Sequence, residues 1–188
     1  MAQPFDPARS PDRLNLGCGW DHRPGYLNVD LHAFHNPDLV ADVTHLDMLA
    51  DEAFEEIIAQ DVLEHLPRTS TVTVLCEWNR LLRPGGSIHL RVPNVVGLAA
   101  LLTASENQSI ERQELLIQCL FGTQAYTEDT HFTTFTEMVL RHYLDCAGFA
   151  VTAWGIYDGW LFEVDAQKVR RAASDQLSTS SQPDSVSS

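Results

Sequence analysis

The chain has 188 residues, 44% of them hydrophobic, and no apolar run near the roughly 18 residues of a membrane helix, so it reads as one domain with a full core. Its 26 acids against 12 bases give a net charge of −14, a surface that repels phosphate backbones and argues against a nucleic-acid substrate; the local basic cluster of Lys168, Arg170 and Arg171 lies beside the tail. Cys18, Cys76, Cys119 and Cys146 are scattered without a Cys-x-x-Cys pair, and residues 1–12 lack the basic and apolar regions of a signal peptide, so reduced thiols and a cytoplasmic location are expected.

The first predicted strand covers 13–17 and runs into Gly17-Cys18-Gly19; a second covers 26–30 and ends in Asp30. Only six residues separate Gly19 from Tyr26, whereas a strand-helix-strand crossover needs at least about 10–12. The first helix is therefore predicted to be vestigial, with Trp20, Asp21 and His22 in a loop. Further strands are expected at 55–60 and 87–92, with a helix over 71–82 that stops at Arg83-Pro84-Gly85-Gly86. This alternation predicts a doubly wound α/β sheet.

Beyond residue 94 the pattern changes. A helix is predicted over 109–121, followed by a glycine-hinged loop over 121–126. Thr134-x-x-Glu137 reads as a capping box opening a helix with the apolar stripe Leu140, Tyr143, Leu144, Ala147, closed by Gly148. Two stretches, 149–156 and 159–164, read as a closing strand pair around Tyr157-Asp158-Gly159. From 169 onward Ser, Thr, Gln, Asp and Pro dominate, a composition that predicts a disordered tail. The domain is thus expected over 13–168, between a short extension at 1–12 and a tail at 169–188.

A strand that stops at two glycines lets backbone amides approach a ligand, and an acid ending the next strand can accept both hydroxyls of a ribose. A dinucleotide fingerprint would need a third glycine where His22 stands and an acid about 20 residues on, and no Gly-x-x-x-x-Gly-Lys-Ser/Thr run is present. The pattern points to a nucleoside without phosphates.

Leu14 to Gly19, Gly25 to Asp30, Ala41-Asp42-Val43-Thr44, Phe54 to Ile58, Val62 to Leu66, Leu82 to Gly86 and Val92-Pro93-Asn94 stand in an order that resembles a class I S-adenosylmethionine-dependent methyltransferase. The short methyltransferase-11-like proteins that read Leu-Asn-Leu-Gly-Cys-Gly are the similar sub-type. The resemblance implies a Rossmann-like, mostly parallel seven-stranded sheet with an antiparallel last strand, flanked by helices. It implies S-adenosyl-L-methionine as donor and S-adenosyl-L-homocysteine as product. Gly17 and Gly19 would pass under the methionine part of the donor, Asp30 would hold the ribose, and Asp42 and the Val43 amide would meet the adenine. Gln60 and Asp61 would lie by the methionine amino group or the sulfonium, and Asn15, Cys18 and Leu31 complete the expected cofactor set.

The same resemblance makes 94–135 the acceptor region, with Phe121, Tyr126, Phe132 and Phe135 as candidate walls. His131 is the candidate general base, since imidazole titrates near neutrality, with Tyr126, His22 and His65 in reserve. Glu64 and His65 read as satisfying nearby backbone groups, and Cys18 as a small residue without redox function. The expected acceptor is a small molecule of metabolite, natural-product or sugar type, with no nucleic acid, no membrane and a homodimer as the assembly. Two other classes stand beside this one. One is a catalytically inactive nucleoside-binding regulatory module; the other is a metal-dependent enzyme using His22, Asp129 and His131, against which the absence of recognisable ligand spacing argues, so that no metal is expected.

Overall fold

The computed structural model describes residues 11–172. Its strands are β1 (Arg13–Leu16), β2 (Leu27–Asp30), β3 (Leu39–Val40), β4 (Phe54–Gln60), β5 (Leu82–Pro93), β6 (Phe149–Tyr157) and β7 (Leu161–Lys168). They form one sheet in the order β3-β2-β1-β4-β5-β7-β6, with β7 antiparallel to both of its neighbours and the other pairs parallel. The expected Rossmann-like sheet and its antiparallel last strand are both present. Four helices accompany it: α1 (Thr71–Leu81), α2 (Val95–Thr103), α3 (Ile110–Phe121) and α4 (Glu137–Cys146).

Alternation along the strands decides which face is dry. Leu14 pairs with Leu27 and Ile57, Ile57 with Ile88, and Ile88 with Ala166, so one face is a continuous apolar band. α1 and α4 close over that band with Leu75, Trp78, Leu81, Leu140 and Leu144, all fully buried. At about 1.5–3 kcal/mol for each large apolar side chain, this layer is the main stabilising contact of the domain. The opposite face carries polar side chains: His89 lies opposite Asp165 in the register of β5 and β7 and bonds it at 2.7 Å, and Gln60, two residues beyond His89's partner Ile58 on β4, reaches His89 diagonally at 3.1 Å.

The missing first helix is confirmed, and hydrogen bonds replace its packing. Asn15 Nδ2 donates to the Asp21 carbonyl at 2.7 Å and to Asn28 Oδ1 at 3.0 Å, while the Arg23 amide donates to Asn28 Oδ1 at 2.8 Å. The Arg23 guanidinium bridges Asp21 and Gln60, each at 2.8 Å. The loop is thereby tied to the polar face of the sheet.

Several boundaries differ from the sequence expectation. β5 begins at Leu82, and Arg83 to Gly86 form an irregularity within it where the register shifts between Phe54 and Glu56; a Cβ on Gly86 would lie 3.1 Å from the Glu55 carbonyl. The cap of α4 is Thr136, which accepts from the Val139 amide at 3.3 Å, because Thr134 is spent on the Pro93 carbonyl at 3.1 Å. Gly148, with φ +88, closes that helix as expected. Asp158 and Gly159 take left-handed conformations in the β6–β7 turn, φ +50 and +78. Gly122 is no hinge: an added Cβ would sit 2.0 Å from the Asp129 carbonyl, so the glycine is where two segments cross in contact. The start of the expected tail is pinned, since Val169 donates to the Gly148 carbonyl at 3.0 Å and Arg170 pairs with Asp145 at 3.1 Å. The extension at 1–10 and the tail at 173–188 lie outside the described residues.

Candidate functional site

The carboxyl ends of β1, β2 and β4 meet at the Gly17-Cys18-Gly19 turn. Gly17 has φ +62, and a Cβ there would lie 2.5 Å from Val62 Cγ2, so both conformation and space require glycine. Gly19 has φ +49 and open space where its Cβ would be, which leaves the top of the turn free for a ligand. Cys18 is buried, with its amide on the Val29 carbonyl at 3.0 Å; burial, then the charges of Asp30 and Asp38, push its thiol up to about 12. A thiol so raised holds little thiolate, the reactive form.

Asp30 ends β2 at 6% exposure. Its Oδ2 accepts the Gly19 amide at 2.8 Å, and its Oδ1 accepts the His32 amide at 2.8 Å and faces His35 Nδ1 at 2.9 Å. Burial pushes its carboxyl up, but hydrogen bonds from His35, His32 and Gly19 more than offset this and hold it below the ordinary aspartate value. An anion is therefore presented directly beside the glycine turn. Leu31, Trp20 and Phe34 stand exposed around it, with Trp20 edge-on to His35 at 5.1 Å.

The other expected cofactor residues divide. Asp42 is exposed; its Oδ1 takes the Thr44 amide at 2.9 Å and the Thr44 hydroxyl at 2.7 Å, and among the described residues Oδ2 has no partner. Val43 is buried, its carbonyl accepting Trp78 Nε1 at 2.9 Å, so α1 fixes the segment carrying Asp42. Gln60 bridges Arg23 and His89, and Asp61, in a left-handed conformation with φ +55, is bound by the Arg91 guanidinium through both oxygens. Asn15 braces the loop. Asn15, Gln60 and Asp61 are thus engaged by other protein groups around the glycine turn.

Of the four candidate wall residues, Phe121, Tyr126 and Phe132 are exposed, whereas Phe135 is 1% exposed and belongs to the core. Tyr126 meets His32 edge-on at 5.8 Å, near Asp30, which places it at the mouth of the glycine turn. His131 is brought together with Glu64 and His65, a grouping that does not include His22 or Asp129. Asp129 instead binds the Thr123 hydroxyl, and His22 is exposed on the first loop. Burial, then the neighbouring His65, push the His131 ring below its ordinary value. Burial, then the Asp61 carboxylate, push Glu64 well above the ordinary range. Glu64 Oε2 and His65 Nδ1 are without a hydrogen-bond partner among the described residues, and the Glu64 carbonyl accepts the Phe132 amide at 2.7 Å.

A sheet of this order with an antiparallel β7, a glycine turn after β1 and an acid ending β2 is a Rossmann-like fold, the one that the resemblance to class I S-adenosylmethionine-dependent methyltransferases implies. The family model for a methyltransferase domain, Methyltransf_11, matches residues 14–90. No curated protein sequence matches the chain.

Solved structures share the fold at low identity. A possible exported protein from Bordetella parapertussis has a TM-score of 0.61 at 14% identity, covering 85% of this chain and 62% of that one. An S-adenosylmethionine-dependent methyltransferase from Methanosarcina mazei has a TM-score of 0.61 at 17% identity, covering 84% and 92%. The 1,6-didemethyltoxoflavin-N1-methyltransferase of Burkholderia thailandensis, with bound 1,6-didemethyltoxoflavin and S-adenosylhomocysteine, has a TM-score of 0.56 at 16% identity, covering 87% and 73%. Among the described residues no helix is long and apolar enough to cross a membrane.

Proposed function

We propose that the protein transfers the methyl group of S-adenosylmethionine to a small-molecule acceptor. The observation that carries this is the joined pair at the ends of β1 and β2: the Gly19 amide on the charged Asp30 carboxylate at 2.8 Å, below open space. Ribose hydroxyls would donate to the lone pairs that Asp30 keeps, a charge-assisted contact. The free Oδ2 of Asp42 suits the adenine amino group, with Leu31 as the apolar surface against the ring. The donor supplies a sulfonium leaving group, so the chain's task is to hold acceptor and methyl in line and exclude water.

A small acceptor is supported by the exposed Phe121, Tyr126 and Phe132, which offer flat apolar walls, and by the acidic charge that disfavours nucleic acid. A structural neighbour holding 1,6-didemethyltoxoflavin acts on such a molecule. Cytoplasmic action as a homodimer belongs to the same proposal. His131 keeps a place on the acceptor side, but its grouping with Glu64 and His65 argues against a lone general base.

The test is calorimetric titration with S-adenosylmethionine and S-adenosylhomocysteine, NAD serving as control, for the natural chain and Asp30→Ala. Binding of the first two is expected, weakened in the variant by about 1.5–3 kcal/mol, followed by transfer of labelled methyl groups to members of an acceptor panel. Donor binding that is absent, or unaffected by Asp30→Ala, overturns the assignment. Binding without transfer to any acceptor would favour the regulatory module.

A further inference from the structure

Beside the glycine turn lies a cluster whose polar atoms the protein itself leaves unsatisfied. Glu64, on the short 3-10 turn Leu63–His65 after β4, is 1% exposed, yet among the described residues its Oε2 has no hydrogen-bond partner. His65 and His131 each bury an Nδ1 that is equally unpartnered. The three residues offer ligand atoms that all lie within 4.8 Å of one another, and the two imidazoles meet edge to face with 4.7 Å between centroids.

Backbone contacts fix this grouping. The amides of Phe132 and Thr133 donate to the Glu64 carbonyl at 2.7 and 3.3 Å, clamping the His131 segment onto the Glu64 turn. The His131 amide donates to the Phe121 carbonyl at 3.1 Å, tying the same segment to the end of α3. Val62, two residues before Glu64, is the side chain that faces Gly17, so the cluster adjoins the glycine turn.

A buried carboxylate oxygen without a donor costs about 1–3 kcal/mol or more, and two buried ring nitrogens add to that cost. A single cation would satisfy all three. We propose that Glu64, His65 and His131 form a binding site for a divalent transition-metal ion of the zinc type. One carboxylate oxygen with two imidazole nitrogens suits zinc or cobalt, whereas magnesium and calcium take oxygen ligands. Three protein ligands leave the fourth position of a tetrahedral centre open for water or an acceptor oxygen. Bonds of about 2.0–2.1 Å put tetrahedral ligand atoms roughly 3.3 Å apart, so the cluster must contract on binding. Rotation of the partly exposed His65 and His131 rings supplies that movement. An acceptor hydroxyl at the open position would have its pKa lowered by the ion, a link that rests on the methyl-transfer reading, while the metal site itself does not.

The test uses the full chain after treatment with chelator and its removal, titrated with zinc and with cobalt(II), with bound metal measured by elemental analysis. One equivalent per chain is expected, with the visible absorption of four-coordinate cobalt and no competition from excess magnesium. His131→Ala and Glu64→Gln should each lower the zinc affinity by about 100-fold or more while far-ultraviolet circular dichroism stays native. The exposed pair His142 and Cys146, 3.7 Å apart on α4, is the control, and removing both should leave the stoichiometric site intact. Absence of stoichiometric binding, or binding that survives His131→Ala and disappears with His142 and Cys146, overturns the proposal. S-adenosylhomocysteine titration of the metal-free chain, run in parallel, separates failure of the metal site from failure of the donor site.

Discussion

Replacing Gly17 by alanine probes the packing of the turn at a point where two costs can be counted. The new Cβ would lie 2.5 Å from Val62 Cγ2, well inside ordinary contact, and the residue would have to hold φ +62. A left-handed alanine costs about 1–2 kcal/mol, and overpacking a tight contact costs about 1–3 kcal/mol. The sum, about 2–5 kcal/mol, lowers Tm by roughly 4–20 °C, since each kcal/mol shifts a domain of this size by about 2–4 °C. Urea and thermal unfolding of Gly17→Ala, Val62→Ala and the double variant would measure both parts. Val62→Ala removes the obstructing methyl groups, so the double variant should be more stable than the single costs predict by about 1–3 kcal/mol, leaving only the conformational cost. A Gly17→Ala chain as stable as the natural one, or a strictly additive cycle, would refute the packing and conformational assignment.

Three further outcomes are expected. The Asp30 carboxyl is held low in the fold, so its contribution to stability is present above the unfolded pKa of about 3.9 and lost as pH falls through the lower folded value; acid titration of the natural chain against Asp30→Asn should show that dependence only in the former. With its thiol raised to about 12, Cys18 should resist iodoacetamide at pH 7.5 until the chain is unfolded, as peptide mapping would show. Trp78→Phe removes the 2.9 Å bond to the Val43 carbonyl from a fully buried site and should destabilise by about 2–3 kcal/mol in urea unfolding.

The parts of the fold that follow from local pattern were legible in the chain. Gly17, Gly19 and Asp30 stood out because strand ends and positive φ leave a signature in residue type, and the six-residue gap to Tyr26 foretold a loop in place of a helix. Thr134 and Thr136 were ambiguous, since either can cap, and only the Pro93 carbonyl, a tertiary partner, withdraws Thr134. β3 is two residues long and too short to show alternation, while α2 has an apolar composition without a sharp stripe. The Asp61–Arg91 and Gln60–Arg23 contacts join residues 30 and 37 positions apart, and nothing in their spacing announces them. For the same reason His131 appeared as an isolated histidine, and the backbone bonds from Phe132 and Thr133 to Glu64 were needed to reveal its neighbours.

The loop that stands in for the first helix has a dynamic consequence. Asp21, Arg23, Asn28 and Gln60 retain it through discrete polar contacts, whereas the band under α1 and α4 is held by interlocked hydrocarbon. Polar contacts of this kind break singly, and the segment can open at a fraction of the free energy of global unfolding. The loop is thus expected to exchange its amide hydrogens ahead of the rest of the sheet, as a separate and shallower unit of opening.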